Sequence, residues 1–82
     1  MWVPNASGQR QHPALANLGD AIRLVRKRQG ISQERLALLA DIDRSYVGRV
    51  ERGDNNVAVL TLLKLAQALD TSVAQLMKQA KL

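Results

Sequence analysis

The chain has 82 residues, 46% of them hydrophobic, with one Trp, one Tyr, no Phe, no Cys and a formal charge of +5. A chain this short buries only about 60% of the surface its unfolded state exposes, so one domain with one aliphatic core is the limit, and helices packed on helices suit it. With His12 the sole histidine, disulfides and a protein-only zinc site are excluded, and no apolar run reaches the ~18 residues of a membrane span, so a soluble, cytoplasmic protein is expected.

Residues 1–13, "MWVPNASGQRQHP", hold both prolines and no periodicity. They read as a flexible N-terminal arm carrying Trp2 and Arg10, with residues 14–82 as the folded domain. A first helix is expected over about Ala14 to Gln29, where Leu15, Leu18, Ile22 and Val25 recur at spacings of 3, 4 and 3 and draw one apolar stripe. Its cations Arg23, Arg26, Lys27 and Arg28 gather near the C-terminal end, where the helix dipole favours them. A second helix starts at Ser32, a good N-cap, with Leu36, Leu39 and Ala40 expected to point inward. Asp41-Ile42-Asp43 makes a turn, and Asp43 is placed to cap a third helix by accepting from the amide of Ser45 or Tyr46.

The third helix, about Arg44 to Arg52, has only Val47 and Val50 as apolar anchors. It can dock by one edge alone, which leaves the opposite edge for another partner. A polar loop then leads to a fourth helix, about Val59 to Leu69, with Leu62, Leu65, Ala66 and Leu69 as its buried stripe. Thr71 or Ser72 caps a fifth, docked by Val73, Leu76 and Met77. The expected fold is therefore all-α, a compact bundle of five short helices.

The basic surplus is concentrated. Eight of the twelve Lys and Arg residues (Arg23, Arg26, Lys27, Arg28, Arg35, Arg44, Arg49 and Arg52) fall between residues 23 and 52. Arginine predominates there, and its planar fork suits phosphate and guanine. The second and third helices with their short turn form a helix-turn-helix pattern, in which Ala37 supplies the small residue needed where the helices cross. Leu36, Ile42, Val47 and Val50 lock that crossing. The first turn residue usually takes a left-handed conformation, which Asp41 tolerates at a cost of about 1 kcal/mol.

From Leu18 to Met77, with "GISQERLALLA", "RSYVGRVERG" and "LLKLAQAL" in order, the chain closely resembles the XRE-type, lambda-repressor-like helix-turn-helix domain. The segment "IDRSYVGRVERGDNN" also resembles the controller proteins of restriction–modification systems. The resemblance implies a sequence-specific regulator that inserts its third helix into the major groove of double-stranded DNA. The small surface that one such module buries on DNA, about 600–1,000 Å², leads to the expectation of a homodimer on a palindromic operator. The resemblance also implies base contacts from Arg44, Ser45 and Arg49. On helical geometry, positions 44, 45, 48 and 49 are expected to share one exposed face opposite Val47 and Val50, with Gly48 letting the backbone approach DNA. Phosphate contacts are implied for Gln33, which would also brace the third helix, and for Arg52, Asn55 and Asn56 in the following loop. Tyr46 is expected to reach a phosphate, to pack against the second helix, or both. Arg26 and Glu51 match a pair that the family joins as an ion pair between the first and third helices.

The sequence departs from the family at Asp41, where Gly is common, and at Val57, where Pro often follows Asn. Leu60 stands at a usually polar position and, with Leu63, is expected to expose an apolar strip. That strip keeps open a second reading, an antitoxin or other protein-interaction module with secondary DNA binding. A third reading is a non-specific nucleoid binder governed by salt. Catalysis has no support: there is no Cys nucleophile, the sole His lies in the tail, and no glycine-rich phosphate loop is present. No cofactor or metal is expected.

Overall fold

The computed structural model describes residues 12–82, which form five helices: α1 (Pro13–Arg28), α2 (Gln33–Ala40), α3 (Arg44–Glu51), α4 (Val59–Ala68) and α5 (Val73–Gln79). Trp2, Arg10 and most of the expected arm lie outside the described residues. The first helix begins one residue earlier than expected, with His12 as its N-cap accepting from the Ala14 amide at 3.0 Å. Pro13 takes the first helical position, where its missing N–H costs nothing. His12, expected in the tail, is thus a capping residue.

The start of α2 follows the expected chemistry, with Ser32 Oγ accepting from the Arg35 amide at 3.0 Å. Ser72 does the same for α5 by accepting from the Gln75 amide. At α3 the expected cap is absent, since the Asp43 side chain makes no capping bond. Its backbone carbonyl instead accepts from the amides of Tyr46 and Val47 at 3.1 and 3.2 Å. Asp41 is left-handed, with φ 57° and ψ 49°, so α2 ends abruptly and the chain turns into α3.

Ile22, Leu36, Val47, Val50, Leu65, Leu69 and Leu76 are the large, fully buried side chains at the centre. They come from all five helices, so the core is shared and no helix is peripheral to it. In α2 the inward set is Leu36, Ala37 and Ala40, whereas Leu39 is half exposed at 48%. Positions 36, 37 and 40 follow the i, i+1, i+4 stripe of one helical face, and Leu39 is rotated away from it. Leu60 at 73% and Leu63 at 42% are exposed on α4, as expected from their positions.

Gly19, which the apolar periodicity did not single out, fixes how closely α1 and α3 approach. A Cβ there would come within 2.5 Å of the Glu51 carbonyl oxygen and would also collide with that of Val50. The end of α3 therefore lies directly on the backbone of α1. Gly19→Ala should lower stability by at least about 1–3 kcal/mol through overpacking, measured as a drop in the urea midpoint with an unchanged slope.

Candidate nucleic-acid interface

The outer face of α3 is set by what its inner face must bury. Val47 and Val50 are 0% and 2% exposed, and they anchor the helix to α1, α2 and the core beyond. Arg44, Ser45 and Arg49 lie on the other side and are exposed. An α-helix with its side chains is about 10–12 Å across, which fits the ~12 Å width of a DNA major groove. Gly48, expected on this exposed face, is buried. A Cβ at Gly48 would lie 3.3 Å from Arg52 Nη1 and 3.8 Å from Gln33 Oε1, so those two side chains cover it. Gly48 thus lies beneath those side chains rather than open on the surface, and its smallness makes room for Gln33 and Arg52.

The attitude of α3 depends on a buried polar cluster. Arg26 Nε donates to Glu51 Oε2 at 2.6 Å, and Arg26 Nη2 donates to Glu51 Oε1 at 3.0 Å. The third arm of the guanidinium, Nη1, donates to the Ile31 carbonyl at 2.8 Å. Arg26 and Glu51 are only 7% and 6% exposed, so this is the ion pair between α1 and α3 that the family resemblance implied. Gln33 adds α2 to the cluster by donating from Nε2 to Glu51 Oε1 at 2.9 Å. Three helices thus meet on one carboxylate. The bracing role expected of Gln33 is supplied by this bond.

Shallow grooves border α3, with arginine and carboxylate side chains mixed in their linings. One is lined by Asp20, Arg23, Gln33 and Arg52 together with the buried pair. A second is lined by Ser32, Glu34, Arg35, Asp43 and Arg44, and a third by Asp41, Asp43, Tyr46 and Arg49. Arg35 was not singled out from the sequence; its one signal was membership of the basic cluster. Beyond α3, Arg52 donates from Nε to Asp54 Oδ2 at 3.1 Å while remaining largely exposed, and Asn56 is exposed in the same loop. Tyr46 is half-buried against the core, and the guanidinium of Arg49 sits 5.6 Å from the centre of its ring. Asn55 is half-buried beside Arg49.

A family model described as helix-turn-helix matches residues 22–76, a span that includes all of α2 and α3. The chain belongs to the XRE-type helix-turn-helix family of DNA-binding transcriptional regulators. It is 43% identical over 60 residues to the control protein C.SmaI of Serratia marcescens, covering 73% of this chain and 71% of that protein. Among solved structures it resembles the restriction–modification controller protein C.AhdI from Aeromonas hydrophila, at 50% identity and a TM-score of 0.75. That match covers 76% of this chain and 94% of the other. The clp gene regulator ClgR from Corynebacterium glutamicum superposes with a TM-score of 0.79 at 29% identity, over 83% of this chain and 88% of its own. The family is one of DNA-binding regulators rather than enzymes. Among the described residues no group of three or more potential metal ligands occurs, and no helix is long and apolar enough to cross a membrane.

Removing one partner of a buried pair strands the other charge, which costs about 3–5 kcal/mol. Glu51→Ala should therefore lower the melting temperature by more than about 10 °C. The double variant Arg26→Met, Glu51→Leu should recover much of that loss, because no charge is then buried alone. A thermal unfolding series followed by circular dichroism checks both.

Proposed function

We propose that the protein binds a palindromic operator as a homodimer, with α3 in the major groove of each half-site. The observation that carries the reading is the exposed row Arg44, Ser45 and Arg49 on the side of α3 that the core does not use. Arginine donates bidentately to O6 and N7 of guanine, so at least one G·C pair per half-site is expected. Gln33 and Arg52, which cover Gly48 together, with Asn56 and the backbone around Gly53, would fix its register on the phosphates. One such module buries only about 600–1,000 Å² of protein on DNA, which favours a dimer with half-sites ~34 Å apart. The exposed Leu60 and Leu63 on α4 are the surface offered to the second copy. Similarity to C.SmaI and C.AhdI supports a controller-type regulator.

Selection of bound sites from random duplexes tests the reading. A two-fold-symmetric motif containing guanine is the expected product. Recovery of unselected sequence would favour a non-specific binder, and co-purification of a stoichiometric protein partner would favour the antitoxin reading of the Leu60 strip. With the operator in hand, Arg44→Ala should relax preference at one base pair per half-site by about 1–3 kcal/mol while leaving the melting temperature unchanged. Selectivity equal to the wild type would remove Arg44 from the base-reading set. Arg52→Ala should instead weaken binding to all sequences alike and reduce the slope of log K against log salt by about one. A binding series over several salt concentrations distinguishes the two behaviours.

A further inference from the structure

Three details of the loop after α3 converge on one side chain. Gly53 has φ +79°, and a Cβ on it would come within 2.8 Å of Ala16 Cα, so the loop turns back sharply against the first turn of α1. The returning loop is tied to α3 by the Asp54 amide, which donates to the Arg49 carbonyl at 2.9 Å. This brings Asn55 alongside the Arg49 side chain. With the amide turned so that both of its ends are satisfied, Asn55 accepts from Arg49 Nε at 3.3 Å and donates to the Asp54 carbonyl at 3.2 Å. The opposite orientation would set its NH₂ against the Arg49 N–H. On the same guanidinium, the ring of Tyr46 lies 5.6 Å away and draws the cation by its π-face.

We infer that Asn55 and Tyr46 are positioning residues for Arg49, holding its guanidinium so that both terminal nitrogens point outward as a fork for guanine. The inference rests on the reading of Arg49 as a base-contacting residue. It reassigns Asn55, expected to contact a phosphate, since one of its two donors is already spent on Asp54. The chemistry is economical. Nε, the donor that an end-on contact does not need, is occupied by Asn55, and Nη1 and Nη2 remain for O6 and N7. A free arginine must give up its rotamers on binding, whereas one held beforehand has less to lose, and the saving appears only where the fork meets its correct base. Asn55 and Tyr46 thus sharpen specificity without touching DNA bases themselves.

The test is a specificity profile of the full chain on single-base-pair variants of the selected operator. A bidentate arginine–guanine contact discriminates by about 5- to 150-fold, and Arg49→Ala should abolish this at one base pair. Asn55→Ala should relax preference at that same base pair by about two- to tenfold, with little further effect when combined with Arg49→Ala. Tyr46→Phe should keep the preference because the ring remains, and Tyr46→Leu should lose part of it. Circular dichroism melts would verify that each variant is folded. Uniform weakening of all operator variants by Asn55→Ala would make it a phosphate contact and overturn the inference, as would an unchanged profile. If Arg49→Ala itself leaves every base preference intact, the underlying reading of Arg49 fails, and that failure is visible before Asn55 is considered.

Discussion

The fold hangs on the carboxylate of Glu51. It lies in the last turn of α3, where the helix dipole disfavours a negative charge, and it is almost completely buried. Its burial is sustained by the two bonds from Arg26 and the one from Gln33. A buried ion pair of this kind adds little net stability over an apolar substitute, because desolvation offsets the Coulombic gain. What it supplies is geometry: bonds directed from α1 and α2 fix the end of α3 in rotation and in translation. Gly19 makes the same contact from the backbone side, allowing α1 to touch the carbonyls of Val50 and Glu51.

With one end held this way, α3 needs little hydrophobic anchoring. Val47 and Val50 are enough to dock it, and the outward positions are released from any duty to the core. The same cluster reaches the proposed phosphate contacts, since Gln33 is both the bond to Glu51 and the cover of Gly48 beside Arg52. Stability of the bundle and placement of the proposed DNA contacts therefore share atoms. On the proposed reading, a substitution in the buried cluster is expected to disturb both, whereas one at Arg44 or Ser45 is expected to disturb recognition alone.

The helices were legible because apolar stripes and capping residues announce them. Ser32 and Ser72 cap as their types suggest, and Asp41 takes the left-handed turn that its position requires. The pattern was blind to features that depend on a partner helix. Leu39 reads as apolar and inward, yet the stripe of a short helix is narrow and leaves it outside. Gly48 lies on the expected outer face by helical count alone, and it is buried because side chains from α2 and the end of α3 fold over it. Asp43 has the right chemistry for a cap, but the amides of Tyr46 and Val47 bond to its carbonyl instead. The Arg26–Glu51 pair was reached through family resemblance, since two charges 25 residues apart carry no periodic signal. The approach of Asn55 to Arg49 had no signal in the sequence at all, being the product of one glycine turn.

The central claim is that the exposed edge of α3 reads bases rather than merely lying on DNA. A crystal structure of the protein on its selected operator tests this most directly. The account predicts α3 in the major groove, with terminal nitrogens of Arg44 and Arg49 about 2.7–3.2 Å from acceptors on base edges. A complex in which both arginines meet only phosphates, or in which DNA contacts another face of the bundle, would contradict it.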